Sequence, residues 1–186
     1  MRLSEPRIIP QEEKDWNEDV KELMKPFVSQ GRVFNIFKTL AHHPDLARRW
    51  MVFANHILGK STLPDRDREL LILRIGFLCQ AGYEWGQHVL IARRCDMSDE
   101  EIRSTQTGPQ TEGLSAKDKV LLQATDELHK GAHVSNETWK GLANYFDTQQ
   151  LMDIVFTVGQ YNMVAMYLNS LGVQFEEGWE GFPIGN

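Results

Sequence analysis

From Leu151 to Leu171 the chain carries a single charged side chain, Asp153. The run is long enough to tempt a membrane assignment. Thr157, Gln160, Asn162 and Asn169 interrupt it together with Asp153, and polar groups at that density are costly in hydrocarbon. It therefore reads as one long helix buried inside a soluble protein. No other segment alternates apolar and polar residues with period 2 for more than a few positions, so the sequence predicts an all-α fold.

Capping signals divide the rest. Pro44 suits the first turn of a helix reaching about Leu58, with Leu46, Trp50, Phe53 and Ile57 on one stripe; Gly59 ends it. Pro64 opens the next helix, which runs through Arg74 towards Cys79. Gly82 marks a break, and a further helix carries Glu84 to Arg94. Ser98 and Glu101 have the spacing of a capping box, and Thr105 to Gly113 reads as a loop. Ser115 caps a helix to about Lys130, Ser135 a shorter one through Tyr145, and Asp147 or Thr148 starts the last helix, which stops at Gly172. The expected organisation is an N-terminal arm with short helices broken around Pro26 and Gly31 (1–40), a helical domain (41–174) and an extended tail (175–186) bearing Trp179 and Phe182.

The 186 residues are 41% hydrophobic and 25% charged, which is ordinary for one globular domain. A net charge of −6 gives no footprint for nucleic acid or for an anionic membrane. The two cysteines, Cys79 and Cys95, form no disulfide framework, and the N-terminus has no signal-peptide core. A cytoplasmic protein is expected. His129 and His133 have the spacing of a metal pair, but Gly131 lies between them where the helix should end; no Cys-x2-Cys occurs, so no metal and no cofactor are expected.

The chemistry concentrates in Arg68-Glu69 to His88. Glu69, Leu73, Gly76 and Gln80 share one helical stripe, and a glycine inside an apolar helix signals close approach of something. Arg74 interrupts an otherwise apolar run. A buried guanidinium needs a partner, which is either a structural carboxylate or a substrate carboxylate. Glu84 and His88 are four apart, so on a helix the acid can hold one ring nitrogen and leave the other for proton transfer. Tyr83 and Trp85 beside them supply apolar walls. By pattern alone the pair is either a buried polar clip or an active site.

The stretch RELLILRIGFLCQAGYEWGQHVLIARRCDMSDEEI resembles the carboxymuconolactone decarboxylase-like superfamily, which includes alkyl hydroperoxidase D, over roughly residues 45–172. In the peroxidase branch the motif is a glutamate, eleven intervening residues, then Cys-x2-Cys-x3-His. Here those positions hold Glu69, Ala81, Glu84 and His88. The acid and the histidine are kept while both redox cysteines are gone. The resemblance implies an alkyl hydroperoxidase D-like helical bundle, a homo-oligomer (trimer or hexamer), and sites lined by the Glu69 and His88 helices. It implies a cofactor-free lyase or isomerase, using acid/base chemistry to remove carbon dioxide from, or move a double bond in, a small unsaturated carboxylated lactone or ring-cleavage product. His88 would be the proton donor or acceptor, with Glu69 orienting it or acting as a second acid/base group. From the residues themselves, Glu84 joins the machinery, Arg74 is the candidate carboxylate clamp without motif support, and Tyr83, Trp85 and Gln80 are candidate substrate contacts. A peroxidase using Cys79 alone and a non-catalytic oligomeric binding protein are the competing readings.

Overall fold

The computed structural model describes residues 3–177. Among them the secondary structure is one 3-10 turn and nine α-helices, with no strand. The helices are α1 (Glu18–Val28), α2 (Asn35–Leu40), α3 (Pro44–Gly59), α4 (Asp65–Leu78), α5 (Gly82–Arg94), α6 (Asp99–Thr107), α7 (Ala116–Gly131), α8 (Asn136–Leu142) and α9 (Thr148–Leu171).

The fold is built around α4, which packs against α5, α6, α7 and α9. Leu70, Leu71, Ile72, Leu73 and Ile75 are all fully buried. Consecutive buried positions are possible because α4 is surrounded, so its sequence shows a solid apolar run instead of a stripe. Each such side chain stabilises the fold by about 1.5–3 kcal/mol. Asp65 and Asp67 occupy the first turn of α4, where carboxylates complement the helix dipole. Asp67 is buried and held by Lys117 Nζ at 2.8 and 2.7 Å.

The caps fall where local chemistry places them. Ser98 and Glu101 form a reciprocal capping box at α6, and Asp147 and Gln150 form another at α9. Ser115 and Ser135 cap α7 and α8. Gly172, with φ +70°, ends α9; a Cβ there would lie 2.8 Å from the Glu5 carbonyl oxygen of the N-terminal arm. Asp153 accepts from Thr62 N, Thr62 Oγ1 and Ser61 Oγ, tying α9 to the turn before α4. Burial pushes the Asp153 carboxyl up, but those hydrogen bonds outweigh it and hold the group below its ordinary value.

Four expectations are corrected. Pro26 does not break α1, because it sits in the last turn, and the helix ends instead near Gly31 at φ +86°. Residues 105–107 belong to α6, not to a loop. The helix after Ser135 stops at Leu142. Most consequentially, α9 is buried on one side only. Ile154, Val158, Tyr161, Val164, Ala165 and Leu168 face the core, whereas Met152, Phe156, Met163 and Met166 are exposed. A helix apolar all round gives no periodicity from which an open face could be read. Trp179 and Phe182 lie outside the described residues. No described helix is long and apolar enough to cross a membrane.

Candidate active site

α5 folds back along α4, so residues late in α5 meet residues early in α4. Glu69 is fully buried, and a buried carboxylate must be paired. Its Oε1 accepts from Arg68 Nε at 3.2 Å, and its Oε2 lies 2.7 Å from His88 Nδ1. Arg68 is itself anchored to Asp65 at 2.6 Å. With Nδ1 donating to Glu69, His88 Nε2 is left as an acceptor, and no described residue hydrogen-bonds it. The edge of the ring meets Tyr161 at 4.8 Å between centroids, with planes 85° apart.

Glu84 is placed differently from the expectation. It lies one turn before His88 but does not accept the ring N–H; Glu69 does. Both Glu84 oxygens are buried and have no hydrogen-bond partner among the described residues. Burial pushes its carboxyl well above the ordinary carboxylate range, because the charged form would lose its hydration with nothing to replace it. Gly76 makes room for it: a Cβ there would sit 3.1 Å from Glu84 Oε1 and 3.6 Å from Trp85 N. This is the close approach that a glycine inside α4 signals.

His88 and Glu84 line a cavity of about 240 Å³, at the small end of ligand sites. Its walls are largely apolar, with several aromatic rings. Trp50 comes from α3, Tyr161 and Gln160 from α9, and Phe27, Phe34 and Phe37 from the N-terminal segment. Phe27 and Phe37 are stacked at 4.1 Å. Among the described residues, none that lines it is a lysine or an arginine. Neither cysteine lines it: Cys79 Sγ lies 3.1 Å from Asn162 Oδ1 and 3.7 Å from His129 Nδ1. Burial first, and then the negative charges of Glu69 and Asp65, push the Cys95 thiol up.

The structure brings together four of the seven residues singled out from sequence: Glu69, Tyr83, Glu84 and His88. Tyr83 contributes its ring to the wall, while its hydroxyl donates to Glu176 Oε1 at 2.5 Å. Burial, then the charge of Glu176 and the hydrogen bond to it, push that hydroxyl up. The other three lie elsewhere. Arg74 is held in a two-pronged ion pair with Asp126 at 2.6 and 2.9 Å and donates to the carbonyls of Thr105 and Gln106. The expected substrate clamp is thus a structural pair, whose acid comes from α7 and so left no trace near Arg74 in sequence. Gln80 is exposed in the tight turn between α4 and α5, with φ +53°. Trp85 faces the core, one position round the helix from the cavity wall. Conversely, Tyr161, Gln160 and Trp50 were not singled out as site residues. The two in α9 had one signal, polar atoms at adjacent positions of an apolar helix.

Comparison with known proteins fits this geometry. Residues 44–127 match the Carboxymuconolactone decarboxylase family, a segment that includes Glu69, Glu84 and His88. No curated protein matches the sequence. An uncharacterized peroxidase-related protein with an alkylhydroperoxidase AhpD core from Ralstonia eutropha JMP134 has the same fold, with a TM-score of 0.79 at 18% identity over 92% of this chain and 93% of that one. A putative antioxidant defence protein AhpD from Agrobacterium tumefaciens gives a TM-score of 0.69 at 18% identity, covering 74% of this chain and 94% of that one. The debrominase Bmp8, solved with 2,3,4-tribromopyrrole, gives 0.76 at 15% identity over 94% of both chains. The segment 44–127 thus matches the Carboxymuconolactone decarboxylase family, and the chain as a whole shares the fold of these AhpD-like structures.

Proposed function

We propose that this protein is a cofactor-free acid/base enzyme of the carboxymuconolactone decarboxylase-like kind, moving a proton within a small, neutral, largely apolar unsaturated ring such as a lactone or enone. His88 is the proton-transferring group and Glu69 its positioning residue. Glu84 is a buried acid at the same cavity, its carboxyl pushed up by burial. The observation that carries the reading is the 2.7 Å bond from His88 Nδ1 to a fully buried, Arg68-paired Glu69, with the same imidazole lining a cavity. That bond fixes ring orientation and tautomer, leaving Nε2 as a base.

The lining narrows the chemistry. Loss of carbon dioxide starts from a carboxylate, and the walls offer no cation to receive one. Moving a double bond needs only a proton taken from one carbon and returned to another, which one imidazole nitrogen can do. The isomerase arm is therefore favoured over the lyase arm, and a neutral substrate over the carboxylated one suggested by the resemblance. The debrominase neighbour's tribromopyrrole, a small halogenated ring, is of a size and polarity that suit such a cavity.

Incubating the protein with small cyclic enones and unsaturated lactones in D2O, and following deuterium incorporation by NMR, tests this. Wild type should exchange at least one panel member, and His88→Gln should not. Absence of exchange across the panel, or unchanged exchange in His88→Gln, would refute the reading. A dithiol-dependent peroxidase would need a thiolate in the cavity, and Ala81 and Glu84 stand at the two sulfur positions of the peroxidase motif. Hydroperoxide turnover with a dithiol reductant should stay at background; robust turnover abolished by Cys79→Ser would favour the peroxidase instead.

A further inference from the structure

The chain has four tyrosines, and their hydroxyls are used differently. Tyr145 is exposed. The Tyr83 hydroxyl donates to Glu176, and the Tyr167 hydroxyl donates to the Ile36 carbonyl at 3.0 Å. Tyr161 is only 5% exposed, yet its hydroxyl hydrogen-bonds no described residue. A buried polar group left without a partner is costly, and native structures keep few of them. Nor is this hydroxyl sealed into the core, as Trp50 Nε1 and both Glu84 oxygens are. Tyr161 lines the cavity, and its ring stands edge-on to that of His88. An unused O–H donor therefore sits beside the imidazole whose Nε2 is left as an acceptor.

We propose that Tyr161 is a further catalytic residue, whose hydroxyl donates a hydrogen bond to the carbonyl oxygen of an unsaturated ketone or lactone held in the cavity. The step rests on the proton-transfer reading of His88. Nε2 takes a proton from the carbon between the carbonyl and the ring double bond. The electron pair of that C–H bond becomes a new double bond to the carbonyl carbon, and the carbonyl π pair moves onto oxygen. Nε2 then returns the proton at the far end of the conjugated system. The electrons flow back, the carbonyl is restored, and the ring double bond has moved. One proton leaves and one returns, so nothing is oxidised or reduced.

Negative charge develops on the carbonyl oxygen, and a donor already aimed at it strengthens as the charge grows. The described lining has no lysine or arginine to serve instead. Burial first, and then the negative charge of Glu69, push the Tyr161 phenol well above its ordinary value. It therefore keeps its proton and acts as a donor, not as a second base. Gln160, its neighbour in sequence, also borders the hollow beside Phe156 on the outward side of α9, which leaves Tyr161 as the better placed donor.

Cyclopentanone labelled with 13C at the carbonyl has no double bond to move, so it reports the hydrogen bond without turnover. Its carbonyl resonance should move downfield on titration with wild type, and by clearly less with Tyr161→Phe. Tyr167→Phe, which lacks a hydroxyl committed to a backbone carbonyl, should behave as wild type. On a panel compound that wild type exchanges in D2O, Tyr161→Phe should lose about 10²–10³ in the rate at saturation, with KM little changed. Its melting temperature should not fall, because the deleted hydroxyl has no partner to orphan. A carbonyl shift that is absent in wild type or equal in Tyr161→Phe, or an unchanged exchange rate in that variant, would overturn the proposal. The two readings fail separately. Exchange that needs His88 but not Tyr161 sinks this inference alone. A Tyr161-dependent shift with no exchange of any panel compound refutes the His88 chemistry, and with it the catalytic role, and leaves Tyr161 a binding residue.

Discussion

α4 carries two polar groups that look alike in sequence, a charge set into an apolar run, and the structure uses them in opposite ways. At one end Glu69 is paired to Arg68 and His88, and the histidine lines a cavity with one nitrogen still free. Five residues further along the helix, the Arg74 guanidinium is clamped by Asp126 and by two carbonyls in the last turn of α6, away from that cavity. Both are buried and both are paired. What separates a site from a strut is an unused hydrogen-bonding position facing a void.

That contrast can be broken by experiment. The largest effect is expected at the cavity end. Removing a proton-transfer group typically costs about 10²–10⁴ in rate, so His88→Ala and Glu69→Gln should lose about that much turnover or deuterium exchange. The melting temperature of His88→Ala should move little, whereas Glu69→Gln also takes a buried partner from Arg68 and should lower it, so turnover is compared per folded molecule. If both unfold readily yet keep wild-type turnover per folded molecule, Glu69–His88 is a strut as well.

The strut end should respond the other way. Asp126→Ala leaves the Arg74 charge buried without its acid, which costs about 3–5 kcal/mol. Chemical denaturation should show that loss, with turnover per folded molecule near wild type. Gly108 sharpens the point. It has φ +91°, and a Cβ there would overlap the Arg74 guanidinium. Gly108→Ala should cost about 1–3 kcal/mol, from backbone strain and displacement of Arg74. A neutral result would mean the guanidinium is not held tightly.

The smallest effect concerns Glu84, whose carboxyl burial pushes well above the ordinary range. The unfolded chain returns it to that range, so between the two values folding takes up a proton. Stability contributed by the group is therefore present at low pH and lost as pH rises above the ordinary carboxylate value. Glu84→Gln removes the dependence. Unfolding free energies of wild type and variant should diverge as pH rises above the ordinary carboxylate range, in the variant's favour. Parallel curves would mean that Glu84 is ionised and paired in the native state.

Which of these roles were legible depends on how far the deciding contact lies along the chain. The Ser98–Glu101 box, the Ser115 and Asp147 caps and the stop at Gly172 are set by neighbours within a few residues, and all could be read directly. Gly76 announced a close approach without naming Glu84 as its cause. The Glu69–His88 meeting spans nineteen positions and was legible only through the resemblance to a known motif; helical spacing alone pointed to Glu84, wrongly. Asp126 lies 52 positions from Arg74, and no local pattern could join them. The aromatic walls from residues 27–37 were equally silent, because an apolar side chain reads the same whether it lines a void or fills a core.

The Tyr83–Glu176 contact has a consequence for the order of events during synthesis. Glu176 also accepts from the backbone N–H of Asn35 and from Gln87, and Phe175 stacks on Tyr83. The cavity wall is thus fastened by residues made long after it, across 141 positions from Asn35. Arg7 and Ile8 likewise donate to the carbonyl of Leu171. Neither fastening exists until residues 171–176 have been made and have folded back. The helices around α4 can assemble earlier, so the cavity is completed after the core that supports it.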